Sequence, residues 1–257
     1  MVANPLVTII TPSFNQGKFI EQTILSVIKQ TYKNIEYIVV DGGSTDNTMN
    51  IVNKYRDKIN IIIHEKDNGQ TDAINKGFKL ANGELIGWIN SDDLLYEDCI
   101  EKIVKLYKQK TDGVIYYSSF NDKIDKNGIK ITTCKRYIPD RNHLLNVNYD
   151  IIQQGSFYKT DIVRKVDYLD TSYHYCMDLD LWLKLLLHGP IYSMDQGPVS
   201  GFRVWGETKT STGGTKFLKE IRRTLIKNGA NRLSPNLRRI YWYGLKTLIK
   251  KFVWHSQ

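Results

Sequence analysis

The sequence predicts an α/β fold, a mostly parallel central sheet with helices on both faces, followed by C-terminal amphipathic helices. Three observations predict it. Short β-rich apolar runs alternate with helically spaced segments through the first hundred residues. These runs are apolar throughout rather than at every second position, as in strands buried on both faces. Each is followed by a polar, turn-forming loop.

Leu6–Ile10 is the first strand, ending at Thr11-Pro12-Ser13-Phe14-Asn15, and Phe19, Ile20, Ile24, Leu25 and Ile28 then recur at helical spacing. Ile35–Val40 is the second strand. Asp41-Gly42-Gly43-Ser44-Thr45-Asp46 supplies a turn and a cap for a helix over Thr48–Tyr55. Ile59–His64, Thr71–Leu80 and Leu85–Ile89 continue as strand, helix and strand. Beyond Asp92-Asp93 the pattern loosens. Leu95–Leu106 reads as a helix, Gly113–Phe120 as a strand, and Asp122–Lys135 as a hairpin turning near Lys126-Asn127-Gly128. Asp178–Leu187 is helical, Ile191–Tyr192 and Val199–Val204 are short strands, and Phe217–Ile226 and Leu237–Phe252 are amphipathic helices, the second with a start signal at Ser234-Pro235.

With 257 residues, 41% of them hydrophobic, the chain can bury a substantial core. We expect one catalytic-type domain over residues 1–212 and a basic helical extension over 213–257. From Gly213 onward eleven Lys or Arg face a single acid, Glu220, while the rest of the chain is close to neutral. Such an asymmetry points to an anionic partner for the tail, membrane or nucleic acid, unless its apolar face packs on the body and the charges are merely solvated. Basic residues interleaved with Tyr241, Trp242, Tyr243 and Trp254 suit an anionic membrane surface, which is the expected partner. Cys99, Cys134 and Cys176 are widely spaced and lack a ligand pattern, so neither a disulfide framework nor a zinc site is expected, and a cytoplasmic setting follows. No apolar run suggests a signal peptide or a membrane span.

Four loops carry polar residues to the same edge of the expected sheet: 11–15, 41–46, 67–72 and 90–93. Parallel strands make them converge into a crevice. Asp92 and Asp93 are candidates for holding Mg²⁺ or Mn²⁺ through hard oxygen ligands shared with substrate phosphates. The alternative is that Ser91 or Asp92 caps the helix that follows. Asp41 could accept hydrogen bonds from a base or ribose, or simply open a Gly-rich turn. The chain has neither a dinucleotide-type glycine fingerprint after the first strand nor a lysine-bearing phosphate loop.

Val-Thr-Ile-Ile-Thr-Pro-Ser-Phe-Asn-Gln, Ile-Val-Val-Asp-Gly-Gly-Ser-Thr-Asp-Asn-Thr, Gly-Gln-Thr-Asp-Ala-Ile-Asn-Lys-Gly and Ile-Asn-Ser-Asp-Asp follow one another in this order. Together they resemble the signatures of family 2 glycosyltransferases with the GT-A fold, over roughly residues 5 to 210. The resemblance implies an inverting, Mg²⁺- or Mn²⁺-dependent transfer of a sugar from a nucleotide-diphosphate donor, with UDP the first choice of nucleotide. It implies a glycan or lipid-linked acceptor in surface polysaccharide biosynthesis. It also implies that Thr11, Ser13 and Asp41 line the nucleoside pocket with Asp72 nearby, that Asp93 is the direct metal ligand, and that Asp92 faces the ribose or sugar.

The acceptor hydroxyl must lose a proton as it attacks. The resemblance places the base at Asp178 in Met177-Asp178-Leu179-Asp180, with Asp180 as the alternative and Met177 where an acid often stands. The simpler reading is that both acids favour a helix N-terminus. His174, between Tyr173 and Tyr175, reads as packing or surface. Gln153-Gln154-Gly155-Ser156-Phe157 resembles a segment beside the acceptor. Gly201-Phe202-Arg203-Val204-Trp205 and the following 208–212 resemble a loop that closes on the pyrophosphate. There Arg203 could stabilise leaving-group charge or be an ordinary strand-end residue, and Trp205 could stack on a sugar or be core. A nucleotidyltransferase would use a similar sheet, but the Gly-rich basic loop for a triphosphate is missing. A nucleic-acid-binding role for the tail leaves the four polar loops unexplained, so no nucleic acid is expected.

Overall fold

Val7–Ser13 forms β1 because both of its faces are apolar: Val7 and Ile9 enter one hydrophobic cluster and Ile10 the other. The computed structural model of the protein describes residues 4–206 and 213–254, with side chains as far as 244. In chain order, α1 (Ile20–Ile28), β2 (Ile35–Asp41), α2 (Thr48–Lys54), β3 (Ile61–His64), α3 (Gln70–Leu80) and β4 (Leu85–Trp88) follow. β1 pairs in parallel with β2 and β4, and β2 with β3. The four loops after β1 to β4 therefore leave the sheet at one edge, as the alternating pattern predicts.

The continuation departs from expectation at three places. Leu94–Leu95, read as the start of a helix, is a two-residue strand, β5, and α4 begins only at Cys99 (Cys99–Gln109). Asp92 and Asp93 thus cap no helix. The segment read as one strand over Gly113–Phe120 divides into β6 (Ile115–Ser118) and β7 (Phe120–Ile124), which lie in different sheets. The break is held by the Ser118 hydroxyl, which accepts from Phe120 N, and by Ser119 N donating to Met194 O. Finally, β9 (Phe157–Lys159) runs antiparallel between β4 and β6, inside a sheet otherwise of one direction.

The remaining elements are β8 (Lys130–Lys135), α5 (Arg141–Asn146), α6 (Thr160–Lys165), α7 (Met177–Leu185), β10 (Ile191–Met194), β11 (Ser200–Arg203), α8 (Gly214–Lys227) and α9 (Pro235–Trp254). The large sheet has the order β10-β6-β9-β4-β1-β2-β3, and a small one has β5-β11-β7-β8. α1, α2 and α4 cover one face of the large sheet, and α3 and α7 the other.

Ile221 and Leu225 of α8 and Leu237 and Ile240 of α9 are buried in the same cluster as α3 and α7. Each such side chain contributes about 1.5–3 kcal/mol on burial, so this part of the basic tail is packed on the body rather than hung from it. Among the described residues, no helix is long and apolar enough to cross a membrane.

Candidate active site

The four loops at the carboxyl edge of β1 to β4 meet in an open cavity of about 640 Å³. Ser13 and Gln16 come from the first loop, Gly42 from the second, Lys66, Asp67 and Gln70 from the third, and Asn90, Ser91 and Asp92 from the fourth. Gln153, Gln154, His174, Asp178 and Trp205 complete the wall. Two polar atoms of this wall, Ser13 Oγ and Gln16 Oε1, are buried with no hydrogen-bond partner. Buried polar atoms are almost always paired, so both keep capacity for a further partner.

The adjacent acids have different surroundings. Asp93 is 1% exposed; its Oδ1 accepts from Arg203 N at 2.8 Å, and its Oδ2 from Gln154 Nε2 at 3.0 Å and Asn90 Nδ2 at 3.2 Å. Burial, with the Asp92 charge second, pushes its carboxyl up to about 8 against those three donors. Asp92 lines the cavity, and its Oδ2 accepts from Trp205 Nε1 at 3.1 Å. Burial pushes this carboxyl up as well, disfavouring the charged form that a cation would stabilise. In this structure Asp92 stands at the wall and Asp93 behind it.

Arg203 lies behind the same loop, fully buried. Its Nε donates to Asp92 O at 2.6 Å, Nη1 to Asp125 O at 3.0 Å and Lys126 O at 2.9 Å, and Nη2 to Gln22 Oε1 at 2.8 Å. A guanidinium so engaged, outside the cavity wall, holds the loop. Trp205 packs on Phe19 with ring centroids 5.0 Å apart, so its indole is anchored on one side and hydrogen-bonded to Asp92 on the other.

Asp41, wholly buried, accepts from Gly43 N, Ser44 N and Ser44 Oγ and lies 2.7 Å from His64 Nδ1. It builds the turn that presents Gly42 and does not itself line the cavity. A Cβ on Gly42 would come within 2.4 Å of Asp67 Oδ2, so a larger residue there would displace the Asp67 side chain. Thr11 is buried against Tyr37 OH at 3.0 Å, and Asp72 sits at the surface, 3.7 Å from Lys76 Nζ and accepting from Asn68 N. Neither reaches the cavity.

Of the two acids in the first turn of α7, Asp178 lines the cavity, whereas Asp180 is buried near Lys184, Lys227 and Asn228. Helical geometry turns residues two apart to different faces. The fold brings to the same wall Lys66 and Asp67, which the sequence does not single out, and His174, which it gives as packing or surface. Asp67 had a signal, since it opens one of the four converging loops. His174 had none. The stretch 208–212 lies outside the described residues.

Among the described residues no group of three His, Cys, Asp or Glu side chains encloses a cation. A single wall carboxylate, Asp92, nevertheless fits an ion of the Mg²⁺ or Mn²⁺ class, which binds through one or two carboxylates and completes its shell with water and substrate phosphates.

Residues 8–167 match the model of the family described as glycosyl transferase family 2. An uncharacterised glycosyltransferase of Rickettsia typhi is 33% identical over 199 residues, covering 74% of this chain and 61% of the relative. A Bacillus subtilis protein named for teichuronic acid biosynthesis, the glycosyltransferase TuaG, is 34% identical over 110 residues, 42% of this chain and 44% of that one. The chain thus spans about six-tenths or less of the length of these curated relatives. Among solved structures, S. aureus TarS 1-349 in complex with UDP-GlcNAc superposes with TM-score 0.69 at 20% identity, covering 88% of this chain and 67% of that one. The mannosyltransferase PcManGT of Pyrobaculum calidifontis, in complex with GDP-Man and Mn²⁺, does so with TM-score 0.68 at 17% identity, covering 95% and 70%. With its family model matched over more than half of its length and its fold superposing on these neighbours, the chain belongs to glycosyl transferase family 2 and has the GT-A fold.

Proposed function

We propose that this chain transfers a sugar, with inversion, from a nucleotide-diphosphate donor to a glycan or lipid-linked acceptor of surface polysaccharide biosynthesis. The observation that carries the reading is that Asp92 and Asp178, from distant parts of the sequence, line one cavity with the ends of four parallel strands. The unpaired Ser13 Oγ and Gln16 Oε1 and the nearby Lys66 suit the polar groups and charge of a donor. TuaG's name supports the acceptor class, and the TarS and PcManGT complexes support the donor class. UDP is the nucleotide we favour.

In this reading Asp178 takes the proton from the acceptor hydroxyl as that oxygen attacks the anomeric carbon. The bond from that carbon to the donor phosphate breaks, and its electron pair leaves with the nucleotide diphosphate. A Mg²⁺ or Mn²⁺ ion held by Asp92 would neutralise charge on the diphosphate. Asp93 and Arg203 hold Asp92 in place; they are positioning residues. Asp41 and Thr11 shape the donor side from behind it. The free cysteines suit a reducing, cytoplasmic setting, and the basic, aromatic end of the tail suits an anionic membrane surface on which a lipid-linked acceptor would be met.

The test joins a thermal-shift panel of UDP-, GDP- and dTDP-sugars, with and without Mn²⁺, to turnover by Asp178→Asn. Wild type should be stabilised by one nucleotide class in the presence of metal. Asp178→Asn should keep that stabilisation and lose about 10²-fold or more in turnover. Normal turnover in that variant removes Asp178 from the role, and no stabilisation by any nucleotide sugar removes the donor.

A further inference from the structure

The base-bearing end of α7 is held by the tail. Residues 170–176, which lead into that helix, have no regular structure of their own. The carboxylate of Glu220, on α8, accepts from three consecutive backbone N–H groups of this segment: His174 N at 2.8 Å and Cys176 N at 3.0 Å, with Tyr175 N between them. Amides ahead of a helix lack intrahelical partners, and successive N–H groups form an anion-binding nest. Here the anion is a side chain. Glu220 is the one acid among residues 213–257.

The contact is part of a longer grip. On α8, Phe217, Glu220, Arg223 and Lys227 follow one another at intervals of three or four, so they share a face. Phe217 meets the Tyr175 ring with centroids 5.8 Å apart. Arg223 lies 4.5 Å over the Tyr173 ring and donates to Ser172 Oγ at 2.7 Å. Lys227 donates to Asp170 at 3.0 Å and lies over the same Tyr173 ring. From the body, Thr71 Oγ1 donates to Tyr173 O at 3.2 Å and so holds the segment from its other side. His174, Tyr175, Met177 and Asp178, all lining the cavity, are thus presented by a loop whose shape α8 imposes.

We propose that Glu220 is a positioning residue for the transfer reaction: its carboxylate clasps the 174–176 backbone and thereby sets the place of Asp178 at the acceptor side of the cavity. The first helix of the basic tail is then a component of the active site, and whatever the tail binds is mechanically joined to the base. The proposal rests on the sugar-transfer reading. The donor-side wall comes from the loops after β1 to β4, and Glu220 bonds to none of them, so the clasp acts on turnover rather than on donor binding.

The experiment compares wild type, Glu220→Ala and Glu220→Gln in the full chain by steady-state kinetics with the nucleotide sugar, by donor affinity, and by amide hydrogen exchange of the 170–178 segment. Misplacing a reacting group by about 1 Å costs up to about 10²-fold. Glu220→Ala should therefore lose about tenfold or more in kcat, with donor affinity within about twofold of wild type. Exchange at 174–176 should rise. Glu220→Gln, which keeps a neutral acceptor and is the arm that stands if the Ala variant folds poorly, should fall between the two. The clasp is overturned by unchanged exchange at 174–176, by kcat within about twofold of wild type in both variants, or by donor affinity that falls in step with kcat in Glu220→Gln. A wild type that turns over no nucleotide sugar overturns the reaction instead, while the exchange measurement still decides whether Glu220 fixes the loop.

Discussion

Asp92 and Asp93 are neighbours in the chain with different surroundings, and Arg203 touches both. Its backbone N–H takes one oxygen of Asp93 while its guanidinium ties the carbonyls of Asp92, Asp125 and Lys126 to Gln22. Burial pulls the Arg203 guanidinium below its ordinary value, against the Asp93 and Asp92 charges that pull it up. A lysine carries a point charge and cannot span four acceptors in a fork. The acceptors are part-buried, so leaving them without a donor costs less than the full penalty of a buried group, and Arg203→Lys should lower stability by about 1–3 kcal/mol in urea unfolding. A loss below about 0.5 kcal/mol, the size of an ordinary surface substitution, would show the network to be dispensable. The importance of the Asp92-Asp93 pair is legible from its sequence. Which of the two faces the cavity is not, because residues in a turn lack the periodicity that assigns faces in helices and strands.

At the scale of elements, each of the first four strands and three helices is legible from its apolar pattern, since each buries a face large enough to leave a sequence signal. Elements of two or three residues leave none. The sequence pattern gives β5 as a helix start and β9 only as a segment beside the acceptor, because pairing partners distant in sequence create both strands. The packing of α3 on β1 yields a prediction in which two local effects compete. A Cβ on Gly77 would sit 2.6 Å from Ile10 Cγ1 and 2.7 Å from Cγ2. Gly77→Ala gains about 1 kcal/mol of helix propensity, whereas overpacking a filled core costs about 1–3 kcal/mol. The core term should win, lowering Tm by about 2–4 °C. A rise in Tm would mean that β1 and α3 can separate without cost.

For the whole molecule, the decisive feature is that a nearly neutral body carries a strongly basic end. Part of that end is core. The remainder exposes Tyr241, Trp242 and Tyr243 at 50%, 52% and 44%, near Arg238 and other basic residues. Each Lys or Arg close to an anionic leaflet contributes about 1 kcal/mol, screened by salt. The full chain should therefore cosediment with phosphatidylglycerol-rich vesicles at low salt, detach as salt is raised, and ignore phosphatidylcholine vesicles. Equal binding to both would assign the tail no electrostatic part. The sequence by itself determined the layered α/β architecture, the edge at which the polar loops gather and the charge of the tail, because hydrophobic period, turn chemistry and net charge are local sums over neighbouring residues; the family was legible only through the resemblance of four ordered motifs. Only the tertiary structure decided that Asp92 rather than Asp93 stands at the wall, that Arg203 lies behind it, and that Glu220 reaches back to residues 174–176. Those outcomes depend on contacts between segments more than forty residues apart, or on the direction of one side chain in an irregular turn, and neither has a repeat that a sequence can display.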